Sequence, residues 1–169
     1  MTTLTQPLRD EHKELFPHVD RIRQAAELIG EAPVAEIRRG VEEVYDFLAY
    51  HLKPHAEAED AALYPVVQQV LGSPDATKTM SRDHVEVGLY IEELAALKDG
   101  LTDQPLTSPQ ATALRRVLFG VYALVKVHFA KEEEVYLPIL DRGLTPEAAR
   151  EMFERMEAAA HEAKGVHAI

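Results

Sequence analysis

A chain of 169 residues, 46% of them hydrophobic, has the size and balance of one compact domain, expected over 1–169, and holds no apolar run long enough to span a membrane. Its formal net charge of -11 sets it against polyanions, so neither nucleic acid nor an anionic membrane is expected as a partner, and cation affinity is favoured. With zero cysteines it cannot form disulfides, and the opening Met1–Pro7 lacks the basic and apolar stretches of an export signal; a cytoplasmic setting is expected.

The first predicted helix starts at Thr5-Gln6-Pro7, where a proline's missing N–H costs nothing, and stops at Gly30. Leu8, His12, Leu15, Phe16, Val19, Ile22, Ala26 and Ile29 recur at spacings of three and four and form its apolar stripe. His12 lies inside the stripe, whereas His18 is out of phase with it and should face solvent. Pro17 is expected to kink this helix.

The second helix follows Ala32-Pro33 and ends at Gly72-Ser73-Pro74, with Val41, Val44, Leu48, His51 or Leu52, His55, Glu59, Leu63 and Val66 on its core side. Pro54, directly before His55, should bend it locally. The third runs through Met80, His84, Val87, Ile91 and Leu94 to Asp99-Gly100. The fourth is expected to be capped at Ser108-Pro109, and its stripe carries Val117, Val121, Leu124 or Val125, His128, Glu132, Val135 or Tyr136, and Ile139. A shorter fifth helix, about 146–163, presents Met152, Met156 and Ala159, and could dock back on the bundle or pair two chains. His161 and His167 belong to this tail and receive no role. The fold class implied is all-α: an up-down-up-down four-helix bundle over about 8–141, with a short C-terminal helix added.

Two stretches of this chain repeat one another. His55-Ala-Glu-Ala-Glu59 is followed six residues later by Pro65; His128-Phe-Ala-Lys-Glu132 is followed at the same offset by Pro138. Each copy also has a single upstream histidine preceded by an acid, Glu11-His12 and Asp83-His84. Residues four apart share a helix face, so each His-x3-Glu aims a ring nitrogen and a carboxylate at one point. Counted along the helices at about 1.5 Å per residue, all six residues fall toward the same end of the bundle.

All six also interrupt apolar stripes. An ionised carboxylate there needs a positive partner, and the stripes near Glu59 and Glu132 offer no Lys or Arg, only histidines. The alternative, core histidines paired with the two glutamates, explains each residue singly but not the duplicated set. The set points to metal binding.

With these residues in place, the chain resembles the hemerythrin-like proteins, whose HHE cation-binding domain is a four-helix bundle around a non-haem di-iron centre. The resemblance rests on His12, His55-x3-Glu59 with Tyr64-Pro65, His84, and His128-x3-Glu132 with Pro138, and covers about residues 8–141. It implies that His12, His55, His84 and His128 are terminal ligands of two iron ions and that Glu59 and Glu132 bridge them, with an oxo or hydroxo bridge completing the centre. Zinc or manganese would also accept such N/O ligands, though the mixed His/Glu set suits iron best.

Oxygen-carrying hemerythrins have a further histidine where this chain has Gly88, and place the fourth-helix carboxylate five residues after the histidine, where this chain has Glu133. The more open site implies reaction with, or sensing of, oxygen, peroxide or nitric oxide in preference to simple oxygen carriage. The expected partner is such a small ligand. A sensor or iron-binding module acting through an unspecified protein partner is the alternative. The cluster-repair branch of the family is disfavoured because its members usually carry an added cysteine-containing segment. Tyr50, Tyr136 and His51 are candidates for groups beside the ligands.

Overall fold

The computed structural model describes residues 3–166; His167 lies outside the described residues. Five helices follow one another: α1 (Gln6–Leu28), α2 (residues 34–71), α3 (Lys78–Asp99), α4 (residues 108–143) and α5 (Pro146–Val166). The first four pack as an antiparallel bundle in which α1 lies against α2 and α4, and α3 against α4 and α2.

The turns follow from their residues. Gly30 takes a φ of 90° at the end of α1, where the Leu28 carbonyl accepts from Glu31 and Ala32. Gly72 (φ 64°) closes α2, with Ser73 N–H donating to Gln68 O at 3.0 Å. The cap of α4 is Thr107, one residue ahead of the expected Ser108: Thr107 Oγ1 accepts from Gln110 N–H while the Gln110 side chain accepts from Thr107 N–H.

Three of the prolines shape the helices that carry the site. α2 contains π-helical turns at Leu48–Leu52 and Glu59–Leu63, and α4 one at Glu132–Tyr136. Pro54, Pro65 and Pro138 each stand two residues beyond such a turn. A proline inside a helix lacks an N–H and crowds the carbonyl four residues back; a turn wider by one residue accommodates both problems. The bend expected at Pro54 therefore takes the form of a π turn. α1, by contrast, remains α-helical through Pro17.

The apolar side chains fall into two clusters. One fills the bundle from the Ile29–Ile37 end with Ile22, Val41, Leu94, Leu114 and Val121. The other joins Leu8, Leu63, Tyr64, Met80, Leu137 and Leu140 to Met152 and Met156 of α5. Of the two possibilities left open for the fifth helix, docking on the bundle is the one observed: α5 packs across the 53–63 segment of α2.

Helices α2 and α4 come close where their ends meet. A β-carbon added at Gly143 would stand 2.5 Å from Val70 Cγ1, and a β-branched side chain has little freedom to yield. Gly143→Ala is expected to cost roughly 1–3 kcal/mol, the usual range for overpacking, read as a lower midpoint in urea at unchanged m-value.

Candidate metal centre

Between the two apolar clusters lies a layer of polar side chains withheld from water. His12, Glu59 and Glu132 are completely buried, and His55 and His128 nearly so. His84 is the most open of the six, at 9% side-chain exposure. The structure brings all six sequence-predicted residues to one place.

Glu59 is the centre of the arrangement. Its Oε1 lies 3.0 Å from His55 Nε2 and 3.8 Å from His12 Nε2, while Oε2 lies 3.3 Å from His84 Nε2 and 4.0 Å from His128 Nε2. Two groups of ligand atoms close enough for a metal ion result, His12–His55–Glu59 and Glu59–His84–His128, and Glu59 belongs to both. Glu132 spans the same gap, with Oε2 3.5 Å from His12 Nε2 and Oε1 3.4 Å from His128 Nε2.

Each imidazole is held from behind by an acid. His12 Nδ1 bonds to Glu133 at 2.8 Å, His55 Nδ1 to Glu11 at 3.0 Å, His84 Nδ1 to Asp60 at 2.8 Å and His128 Nδ1 to Asp83 at 3.0 Å. A carboxylate only accepts, so Nδ1 carries a proton, and in the neutral ring Nε2 is left to point inward as a lone pair. The wiring follows the sequence repeat. The acid before each single histidine, Glu11 or Asp83, serves the histidine of the same hairpin's second helix. The acid after each buried glutamate, Asp60 or Glu133, serves the single histidine of the other hairpin. Arg9 pairs with Glu133, and Lys131 with Asp83.

Inward-facing lone pairs and carboxylates repel one another unless a cation lies among them. His84 Nε2 and His128 Nε2 are only 3.0 Å apart. Burial alone would lower the pKa of these rings, but the carboxylates around them prevail. Glu59 raises His12, Glu59 and Glu11 raise His55 well above the ordinary value, and Asp60 and Glu59 raise His84. Glu132 and Glu59 raise His128 to about 10. Burial would likewise push Glu59 up, yet His55, His12 and His128 hold it well below the usual carboxylate range. His12 Nε2, His55 Nε2, both oxygens of Glu59 and Oε2 of Glu132 have no hydrogen-bond partner. Buried polar atoms are rarely left so, and five converging nitrogen and oxygen atoms form a donor set that fits a metal.

One residue of the centre was not singled out in the sequence for this role. Tyr64, fully buried, donates its hydroxyl to Glu132 Oε1 at 2.7 Å and lies 3.3 Å from His128 Nε2. Burial and the nearby Glu59 and Glu132 charges raise its pKa far above the ordinary phenol, so it keeps its proton and acts as the donor. The tyrosines considered from sequence lie elsewhere. Tyr136 donates to the Ala76 carbonyl at 3.0 Å, and Tyr50 is exposed. His51 is exposed too and is no neighbour of the centre, and His18 stacks on Phe47 at the surface, solvent-facing as expected. Glu133 stands behind His12, leaving Glu132 as the inward carboxylate.

The walls differ around the layer. Phe129 stacks on His12 with ring centroids 4.5 Å apart and meets Phe16 edge-on at 5.5 Å. On the outer side of His55, a cleft of about 530 Å³ separates α5 from the start of α1; Leu8, Glu11, Phe153, Met156 and His161 line it. His161, given no role from sequence, thus shares the lining of this cleft with Glu11 and His55.

The family model described as the hemerythrin HHE cation binding domain matches residues 3–140. Comparison with curated proteins and with solved structures gives no match.

Proposed function

Because the chain belongs to the hemerythrin HHE cation-binding domain family, we propose that its buried layer is a non-haem di-iron centre that reacts with, or senses, a small ligand: oxygen, peroxide or nitric oxide. In this reading His12 and His55 would hold one ion and His84 and His128 the other, with Glu59 and Glu132 as the carboxylates shared between them. The observation that carries the proposal is Glu59, a buried carboxylate with two unpartnered oxygens, each turned to a different histidine pair.

When bound, the iron pair supplies vacant coordination positions for a small ligand and the electrons for its redox chemistry. The protein does the rest. Glu133, Glu11, Asp60 and Asp83 fix the tautomer and direction of the four rings. Phe129 and the apolar clusters on either side keep bulk water away. Tyr64 holds one oxygen of Glu132 by donating to it.

The test is elemental analysis of protein purified without added metal or chelator, repeated after anaerobic addition of ferrous iron. Two irons per chain are expected; a chain that takes up none overturns the reading. Tyr64→Phe keeps the ring and removes only the donor, so the fold should survive while iron affinity falls roughly 10–100-fold, the usual penalty for losing an outer-shell partner, measured by competition with a chelator.

The sensing alternative draws on the position of α5, which packs directly over the segment carrying His55 and Glu59. A change in metal content or oxidation state there would alter the seat of α5 and so its availability to a partner. It calls for protease cleavage in residues 146–166 that depends strongly on metal or redox state, with negligible turnover of peroxide or oxygen.

A further inference from the structure

The two halves of the centre follow one sequence repeat, but what stands behind their acids differs. Aligned on the repeat, His12 matches His84, His55 matches His128 and Glu59 matches Glu132. Arg9 then matches Ser81, each three residues before a single histidine, and Lys131 matches Ala58, each directly before a buried glutamate. Arg9 Nη1 donates to Glu133 Oε2 at 2.5 Å while Oε1 of the same carboxylate holds His12. Ser81 Oγ donates to Asp60 Oδ1 at 2.6 Å while Oδ2 holds His84. Lys131 donates to Asp83 Oδ2, the oxygen that also holds His128. Ala58 has nothing to donate, and Glu11, behind His55, is half exposed. Among the described residues no lysine or arginine pairs with Asp60 or Glu11.

The repeat thus exchanges a charged donor for a neutral one, or for none, at two places, and it does so crosswise. Each histidine pair has one ring whose acid is backed by a cation, His12 or His128, and one whose acid is not, His55 or His84. The cation-backed rings are those beside Glu132, at 3.5 and 3.4 Å; the other two lie nearest Glu59, at 3.0 and 3.3 Å. A carboxylate behind an imidazole draws on the Nδ1 proton and makes Nε2 a stronger electron donor to a metal. A cation hydrogen-bonded to that carboxylate pulls its charge the other way. Glu133 and Asp83 are mostly withdrawn from water, so the pull is screened less than at an open surface. Lys131 has the stronger hold, because Arg9 also pairs with Asp141 at 3.3 Å and divides its charge.

We infer that Arg9 and Lys131 are positioning residues that temper the electron-donating strength of His12 and His128 through Glu133 and Asp83, one for each ion, and so keep the reduction potentials of the two irons close together. This rests on the di-iron reading above. One cation per histidine pair leaves the two ions balanced; loss of either cation tips the balance toward one of them.

The experiment is a redox titration of the iron-loaded protein, with the half-reduced state followed by electron paramagnetic resonance. Lys131→Gln keeps a donor for Asp83 and removes only the charge. The iron of the His84–His128 pair should become harder to reduce by about tenfold in equilibrium constant, the low end for an outer-shell change, or about 59 mV for one electron. The two potentials should therefore separate and the half-reduced state accumulate. Arg9→Gln should do the same to the other iron, by less. The double variant should lower both potentials and bring their separation back below that of Lys131→Gln, a compensation that structural damage does not produce. Lys131→Arg should behave as wild type. Arg82→Gln removes an exposed cation next to Asp83 that pairs with Glu86, and should leave both potentials in place. Lys131 is partly exposed, so its variants should fold, and if Arg9→Gln does not, the contrast of Lys131→Gln with Lys131→Arg and Arg82→Gln decides alone. Loaded Lys131→Gln with wild-type potentials overturns the inference. So does a double variant whose separation is no smaller than that of Lys131→Gln, or Arg82→Gln shifting as far as Lys131→Gln. A wild-type protein that takes up no iron overturns the di-iron reading itself, and this inference with it.

Discussion

Replacing Glu59 with glutamine is expected to empty both metal positions together. Glutamine has the same shape, but its amide is neutral and offers one oxygen where the two histidine pairs each face a carboxylate oxygen. Bound iron stabilises the fold by mass action, about 4 kcal/mol when free metal exceeds the dissociation constant a thousandfold. At roughly 2–4 °C per kcal/mol for a chain of this size, loaded wild type should melt about 8–16 °C above the stripped protein. Glu59→Gln should show no such gap in calorimetry and no iron by elemental analysis. If the glutamine variant still holds two irons, Glu59 is not the bridge.

Phe129→Ala is expected to have the largest effect on stability that does not pass through the metal. The ring is almost wholly buried, stacks on His12, and packs near His55, His128 and Phe16. Truncating a buried phenylalanine costs about 3–5 kcal/mol through lost transfer energy and the cavity left behind. At the same 2–4 °C per kcal/mol, the melting temperature should fall by about 6–20 °C, and by similar amounts in loaded and stripped protein. That parallel fall separates it from Glu59→Gln, in which the loaded-to-stripped gap disappears. A drop confined to the loaded form would make Phe129 part of metal retention and not of the core.

Four helices and six inward residues were legible because apolar positions recur at helical spacing and His12, His55, Glu59, His84, His128 and Glu132 fall in phase with them. That logic assumes an unbroken α-helix. From Glu132 it points four residues on, to Tyr136, but the π turn at Glu132–Tyr136 adds a residue, so Leu137 packs into the core and Tyr136 swings to Ala76. The same slip hid the inward aim of Tyr64, which stands five residues beyond Glu59 and was noted only beside Pro65. The prolines at 65 and 138 were visible, yet a proline announces a disturbed helix without saying whether it bends or widens.

The acids behind the histidines were half legible. Glu11 and Asp83 stand out because each precedes a histidine, but the ring each serves lies on a neighbouring helix. Asp60, which follows Glu59 as Glu133 follows Glu132, serves a ring in the other hairpin. Only the packed bundle reveals such long-range partners. The seat of α5 has a similar cause: Met152, Met156 and Ala159 mark an apolar face, and nothing in periodicity says which surface receives it.

The bonds joining the first turns of α1 to the far end of α4 bear on when the start of the chain can settle during synthesis. Thr5 N–H and Arg9 donate to Asp141, Arg9 also to Glu133, and His12 to Glu133, all across more than 120 residues of chain. While the ribosome is still making α4, His12 has no acid behind it and the start of α1 has no anchor. Those bonds cannot form until residue 141 is free, so the first turns of α1 are among the last parts of the bundle to be fixed.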